Sequence, residues 1–189
     1  PDKVLVIFVR INSGGTTLSY SDLLLSMATN QWQELDAREE VRSLVSELNS
    51  NAGRQFAFSK DLVLKTALTV AGIDVRFKVA NFTQPNMAKV EQEWPRIEGA
   101  LLRAASLLQQ FGFNERNLTA NSVIIPIAFY LYLRNAGDSY LDSTADAADR
   151  LALQHWVTRS LIKRGIWGSG LDTTLTRLRE ALALNGSSG

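Results

Sequence analysis

A glycine-rich turn that follows an apolar run is the part of this sequence best suited to chemistry. The turn, Asn12-Ser13-Gly14-Gly15-Thr16-Thr17, follows the apolar residues 4–9. Ser19 and Asp22 come next and resemble a helix capping box with Asp in place of Glu. Backbone N–H groups of such a turn, together with a helix N-terminus, favour a bound phosphate or carboxylate. The turn is not a P-loop, because the Lys of the Gly-x-x-x-x-Gly-Lys pattern is missing.

A second glycine turn, residues 165–170 (GIWGSG), also precedes a helix-like segment. The basic residues near it and its Trp predict a DNA-facing patch, in which an exposed indole could stack on a base. The residues of this predicted patch are Arg159, Lys163, Arg164, Trp167 and Arg177. The alternative is a helix end with a tucked Trp167 and charges on solvated faces. For the first turn, the alternative is that Asn12 and Gly15 only shape the chain while Arg10 pairs with an acid.

Composition removes many other kinds of site. The chain has no Cys, one His and a net charge of +1, which excludes disulfides, thiolate metal sites and Cys nucleophiles. The near-neutral charge argues against non-specific nucleic-acid binding as the whole function. His155 has no acid or nucleophile at a recognisable spacing, so a structural role is expected. The acids Asp138, Asp142, Asp146 and Asp149 match no calcium loop and are expected on a solvated helix face. We therefore expect neither a metal site nor a catalytic residue in this chain.

Apolar periodicity predicts a mainly α-helical bundle of about six to seven helices with one N-terminal β-strand. The strand, residues 4–9, is apolar enough to be buried on both faces, yet few other segments could pair with it. We therefore expect the chain to be a piece of a longer polypeptide, with the rest of the sheet upstream. A short strand is also expected at 75–79. The expected helices lie near 19–32, 36–48, 59–70, 84–111, 121–134, 143–164 and from 169 or 172 onward.

Two of these helices are expected to carry most of the core. The first has apolar residues at alternating steps of three and four, and Pro95 inside it is expected to kink the helix or start a new one. Its apolar positions are Met87, Val90, Trp94, Ile97, Leu101, Ala104, Leu108 and Phe111. The second, 121–134, is apolar all round and should be the most buried element, with Pro126 in its first turn. Residues 1–185 are expected to form one domain, and 186–189 a flexible tail.

Three segments resemble one known family. Residues 8–26 (FVRINSGGTTLSYSDLLLS) resemble the Phe-x-x-x-Asn-x-x-Gly-x-x-Leu-(Ser)-x-x-Asp-Leu segment of the GmrSD-like restriction endonuclease family, known as domain of unknown function 262. Residues 118–130 (LTANSVIIPIAFY) resemble its Leu-Pro-Ser-Asn-x-x-Leu-Ile-Pro-like run. Residues 155–175 resemble its Trp-bearing helix, Gly/Ser loop and following short helix.

The resemblance implies a role in bacterial defence against phage. Members of the family sense modified or foreign DNA and couple nucleotide hydrolysis to a nuclease. Their catalytic Asp-Gly-Gln-Gln-Arg motif lies upstream on a ParB-like fold, and a His-Asn-His nuclease often follows; neither signature is in this chain. The chain then corresponds to the C-terminal helical part of the nucleotide-handling domain. It supplies one wall of the site through Arg10, Asn12, Ser13, Gly14, Gly15 and Thr16, and performs no catalysis alone.

The same resemblance defines the expected cofactors and partners. A nucleoside triphosphate and Mg²⁺ belong to the full-length protein, and neither is expected in this chain alone. The expected partners are the missing N-terminal part of the polypeptide, DNA, a His-Asn-His nuclease domain and a second copy of the chain, in the cytoplasm and without a membrane. Two other functions stay open at this point. The apolar strand and the long seam also fit a helical scaffold or oligomerisation module, and the Trp167 region fits a DNA-binding module.

Overall fold

The computed structural model describes residues 20–50 and 56–186, which fold as a bundle of α-helices without a strand among them. The mainly α-helical fold is therefore confirmed, while the predicted strand at 4–9 lies outside the described residues. Three 3₁₀ turns, Val79–Asn81, Asn121–Val123 and Asp138–Leu141, connect helices. The helices are α1 (Tyr20–Thr29), α2 (Ala37–Ser50), α3 (Lys60–Val70), α4 (Gln84–Gln110), α5 (Ile124–Leu133), α6 (Ala147–Ile162) and α7 (Leu171–Gly186).

The long helix α4 and the apolar helix α5 pack against each other at the centre of the bundle. Every predicted seam position of α4 is buried except Phe111, which packs against the core from its edge. Pro95 is exposed and α4 continues through it as one helix, so no new helix starts there. Proline costs about 3 kcal/mol inside a helix, and the seam buried on both sides of it offsets that cost. None of the described helices has the length and apolar character that crossing a bilayer requires.

Helix α5 is the apolar core element that the sequence predicts. Seven of its ten residues are buried, and Pro126 occupies the third position. A proline in the first turn removes no intrahelical hydrogen bond, because the N–H groups there have no helical partner. Helix α5 also packs against α3 and α7.

Helix α3 contacts helices near both ends of the described part of the chain, through Lys60 to Asp22 and through Lys65 to Asp172. Ser59 caps it by accepting a hydrogen bond from the Leu62 N–H at 3.4 Å, and Gly72 follows its C-cap Ala71 with a φ of 71°, which suits a residue without Cβ. Eight of its eleven residues are buried. It packs against α2, α4, α5 and α7, so its partly buried first residues, Lys60 and Asp61, are held in place by a buried helix.

The strand predicted at 75–79 is wrong, and the segment is an irregular connection that leads into a 3₁₀ turn. Val75 is fully buried, which explains the apolar alternation. The side-chain amide of Asn81 donates to the carbonyl oxygens of Asp74 at 3.0 Å and Arg76 at 2.6 Å. A side chain thus satisfies carbonyls that a neighbouring strand would otherwise have to pair.

The loop between α1 and α2 is held by one carboxylate of α4. Glu91 accepts from the backbone N–H groups of Gln33, Glu34 and Leu35 at 2.7–3.0 Å. Partial burial acts to raise the pKa of Glu91, but these three hydrogen bonds outweigh it and leave the pKa below its ordinary value. The carboxylate therefore fixes where α2 begins.

Candidate functional site

Several residues in and beside the first glycine turn were predicted to form a site. Of these, Asp22 lies in the described part of the chain. The other residues predicted there lie outside it, so their contacts to a nucleotide stay predictions; they are Arg10, Asn12, Ser13, Gly14, Gly15, Thr16 and Ser19. The structure does describe the surface around α1, the helix that follows this turn in the sequence.

Asp22 joins the beginnings of two helices. It lies in the first turn of α1, and its Oδ1 contacts Nζ of Lys60, the first residue of α3. An acid in a first turn is stabilised by the positive end of the helix dipole. The capping box with Ser19 stays a prediction, because Ser19 lies outside the described residues. The contact to Lys60 was not predicted, and it brings the start of α1 to the start of α3.

A groove of about 410 Å³ opens beside this ion pair. Helices α1 and α2 form its sides, and the first residue of α3 lies at its edge. The lining residues are Asp22, Leu25, Ser26, Arg38, Val41, Arg42, Val45 and Lys60. We call this surface the basic groove, because its lining carries three cationic side chains and one carboxylate.

Among the described residues, two of the three cations of the basic groove, Lys60 and Arg42, form ion pairs, and Arg38 does not. Arg38 donates from Nη2 to Ser26 Oγ at 3.0 Å and forms no ion pair within the described residues. Arg42 pairs with Glu39 on its own helix, but the two side chains are 75% and 58% exposed, so water screens that pair. The groove therefore keeps an excess of positive charge and is suited to an anion.

Sequence reasoning missed these three cations. The spacing of four between Arg38 and Arg42 places both on one face of a helix, and that signal could have identified them as a pair. Lys60 reaches the same groove from another helix. Nothing local in the sequence indicates that proximity.

Residues 57–65, at and just before the start of α3, contact three segments that are far apart in the sequence. Lys60 contacts Asp22, and the carbonyl oxygen of Ala57 accepts from Asn121 Nδ2 at 3.0 Å. Lys65, one turn further along α3, pairs with Asp172 in the first turn of α7. Each of the contacting residues Asp22, Asn121 and Asp172 lies in a different one of the three segments that resemble the restriction family.

Trp167, predicted to be an exposed stacking residue, is half-buried instead. Its ring meets Trp156 edge-on at a centroid distance of 6.2 Å and an angle of 88°. Its Nε1 donates to the hydroxyl of Ser160 at 3.3 Å. The indole thus packs against α6, which corresponds to the tucked alternative.

The basic residues around that turn are exposed. Within the described part of the chain none of Arg159, Lys163, Arg164 and Arg177 forms an ion pair. Arg177 shares a surface depression with the acids Asp172 and Glu180, so the charge there is mixed. DNA contact by these residues stays a prediction.

An apolar cleft of about 360 Å³ lies between α5, α6 and α7. Its walls are mainly aliphatic and aromatic, and Asp149 with Tyr130 forms its polar end. The lining residues are Pro126, Tyr130, Asp149, Ala152, Leu153, Trp156, Leu178, Ala181 and Leu182. Concave apolar surfaces of this size are typical of ligand sites, so the polar end decides what the cleft can do.

The polar end of the cleft is a closed hydrogen-bonded cluster. Asp149 accepts from the hydroxyl groups of Tyr130 at 2.6 Å and Tyr140 at 2.5 Å. The guanidinium of Arg134 lies 3.6 Å from Asp149 and 3.2 Å from Asp146, and it stands over both tyrosine rings. The expectation that Asp149 lies on a solvated face is therefore wrong. We call these five residues the tyrosine cluster.

Protonation keeps the tyrosine cluster intact at neutral pH. Burial raises the pKa of Tyr130 and of Tyr140, and the hydrogen bonds to Asp149 raise both further. Both phenols therefore remain donors, and both carboxylate oxygens of Asp149 are already occupied. The cluster joins α5, the 138–141 turn and α6, and its polar atoms are used in holding them together.

The acidic residues and the single histidine were also compared with the requirements of a metal or catalytic site. In the residues that the structure describes, no group of three or more His, Asp or Glu side chains could hold a metal ion. His155 is exposed on α6 and has no hydrogen-bond partner among those residues.

Comparison of the chain with protein-family models and with curated protein sequences gives no match.

Proposed function

We propose that this chain is the helical part of a bacterial, cytoplasmic, GmrSD-like restriction protein that senses modified or foreign DNA. In this proposal it completes a nucleotide site whose catalytic Asp-Gly-Gln-Gln-Arg motif and Mg²⁺ belong to an upstream part of the same polypeptide. Arg10 and Asn12, with the glycine turn that follows them, face the nucleotide. The chain alone performs no catalysis, and a His-Asn-His nuclease domain cuts the DNA.

The observation that carries this proposal is the convergence of the three family-like segments on residues 57–65. The three segments lie far apart in the sequence. Asp22 and Asp172 are 150 positions apart, and Asn121 lies between them. Chance similarities at three such distant places would have no reason to contact one short stretch of α3. The contacts therefore support the proposal that the three segments belong to one inherited arrangement.

Nucleotide hydrolysis tests the proposal. The polypeptide that carries this chain together with its upstream motif should hydrolyse GTP or ATP, and the 189-residue chain should hydrolyse neither. Asn12→Ala and Arg10→Ala should each lower kcat/KM at least about tenfold, because removing a transition-state donor typically costs two to four kcal/mol.

The matched control is Arg116→Ala, which removes an exposed arginine outside every proposed site. Its kcat/KM should stay within about twofold of the parent value, since a surface charge away from the site acts weakly. Hydrolysis that survives both Asn12→Ala and Arg10→Ala would sink the proposal, and so would hydrolysis by the isolated chain.

A scaffold or oligomerisation role is the second candidate, and exposed apolar side chains favour it. Leu151 and Ile162 on α6 are 52% and 75% exposed, and Leu184 on α7 is 74% exposed. Residues 151 and 162 are eleven positions apart and so lie on one face of α6. Sedimentation should then show a dimer that Ile162→Lys dissociates, whereas a monomer at all concentrations would rule this candidate out.

A further inference from the structure

The basic groove holds more hydrogen-bond donors than the protein itself uses. A guanidinium offers five N–H donors, and Arg38 uses only its Nη2 within the described residues. Lys60 offers three donors around one ammonium, and the structure gives it Asp22 as an ion-pair partner. An anion with several oxygens can therefore be accepted here without breaking the contacts that hold α1, α2 and α3.

The groove also has an apolar floor. Leu25 and Val41 are almost fully buried at its base, and Val45 is partly buried beside them. Its volume lies within the range of about 300–1,000 Å³ that small-molecule sites occupy. Phosphate oxygens can meet the cations at the edge while a ribose or a base covers the floor.

From these observations we infer that Arg38, Arg42 and Lys60 bind the phosphate chain of the nucleoside triphosphate. The inference rests on the proposed function, because it names further residues of that same site. Arg38 and Arg42 line the groove one turn apart on α2, and Lys60 lines it from the first residue of α3.

A polyphosphate fits this surface better than a DNA backbone does. Duplex DNA presents phosphates along an extended helix and is bound by cations spread along a face. Here three cations are among the lining residues of one concave groove, and the chain as a whole is nearly neutral at +1. Concentrated charge in a small groove is suited to a compact polyanion.

Calorimetric titration of the 189-residue chain with inorganic tripolyphosphate, then with ATP and GTP, tests the inference. All three should bind, and the affinity for tripolyphosphate should fall as salt rises. Arg38→Gln combined with Lys60→Gln should weaken binding at least about tenfold, because two of the three cationic contacts are lost. Nucleotides that bind more tightly than tripolyphosphate would support the role of the apolar floor.

The matched control is Lys78→Gln combined with Arg116→Gln, which removes the same charge from exposed positions outside every proposed site. It should change the affinity less than about twofold, as charges beyond a Debye length are largely screened. If the double variant in the groove folds poorly, Asp22→Asn provides a second test. Its effect on the tripolyphosphate affinity should have the opposite sign. Removing the one carboxylate of the groove should tighten tripolyphosphate binding about threefold, by the usual strength of a partly exposed ion pair.

Several results would overturn the inference. They are an absence of tripolyphosphate binding, equal weakening by the groove and control variants, and a short DNA duplex that binds the groove more tightly than ATP and GTP do. These outcomes differ from failure of the proposed function, which is decided by hydrolysis in the polypeptide with the upstream motif and its dependence on Asn12.

Discussion

The basic groove and the tyrosine cluster are both charged surfaces between helices, yet their polar atoms are used differently. In the cluster, the two oxygens of Asp149 each accept from a tyrosine hydroxyl, and Arg134 neutralises the pair of acids beside it. In the groove, Arg38 has one side-chain partner among the described residues. The difference teaches which surface can bind a ligand, because a satisfied cluster stabilises the fold and unsatisfied donors remain available.

This comparison predicts that the two surfaces separate stability from binding. Changes in the tyrosine cluster should lower the free energy of unfolding and leave tripolyphosphate binding intact. Changes at the edge of the groove should have the reverse effect.

The largest expected effect is that of Asp149→Ala. It leaves the buried phenol of Tyr140, the half-buried phenol of Tyr130 and the guanidinium of Arg134 without their acceptor, so we expect the free energy of unfolding to fall by about 2 kcal/mol. Urea denaturation followed by circular dichroism measures this. Asp142→Ala removes an exposed acid nearby and should change the stability by at most about 0.5 kcal/mol. A loss below about 1 kcal/mol at Asp149 would mean that the cluster does not hold α6 on the bundle.

The sequence predicted the helices better than it predicted these surfaces. The steps of three and four from Met87 to Phe111 are a local signal, and burial of that face of α4 as far as Leu108 follows from them. Asp149 read locally as a solvated acid at a helix start, because its partners come from α5 and the turn after it.

The errors have the same origin. The alternation of Val75 and Val79 fitted a strand, but no neighbouring strand is there to pair with it among the described residues. Lys60 carries no sign in the sequence that it will meet Asp22, since only the packing of α3 against its neighbours brings them together. Local patterns predict which face of a helix is buried, whereas sites built from several helices depend on how those helices cross.

Glu91→Gln should have the next largest effect. It should change both the free energy of unfolding and the binding of tripolyphosphate. A neutral amide oxygen accepts more weakly than the carboxylate that binds three N–H groups, so we expect a loss of about 1.5 kcal/mol. Because the loop that Glu91 holds leads to Arg38, tripolyphosphate affinity should also fall, about threefold.

The pH dependence of the same variant gives a second measurement. A pKa below the ordinary value of about 4.3 means that Glu91 stabilises the native state above that pH and that the contribution is lost as the pH falls. Glu91→Gln should therefore lose less stability than the parent chain on acidification, while Glu115→Gln, at an exposed position, should behave like the parent. Identical acid profiles for the parent and Glu91→Gln would contradict the role given to these hydrogen bonds.

Tyr140→Phe should cost about 1 kcal/mol, since one donor to Asp149 is lost while Tyr130 remains. Its alkaline behaviour is the sharper measurement. The folded-state pKa of Tyr140 is raised above about 10, so its contribution is full below that pH and is lost as the pH rises through the raised value. The tyrosinate absorbance of the parent should therefore rise together with unfolding, and Tyr140→Phe should show a smaller dependence of stability on alkaline pH. Ordinary titration of Tyr140 in the folded parent would show that the cluster is open to water.

The smallest expected effect on stability is that of Lys60→Met. This variant is the strictest test of the separation between stability and anion binding. Lys60 and its partner Asp22 are 36% and 33% exposed, and such ion pairs contribute at most about 1 kcal/mol, so we expect a change within about 0.5 kcal/mol.

Lys65, on the same helix, offers the contrast. Its side chain is 18% exposed, pairs with Asp172 and lies 4.8 Å from the ring centroid of Phe77, so Lys65→Met should cost about 1–2 kcal/mol. Tripolyphosphate affinity should rank the two variants in the opposite order, with Lys60→Met the weaker binder. If one lysine dominates both measurements, stability and anion binding reside in the same contacts and the distinction between the two surfaces fails.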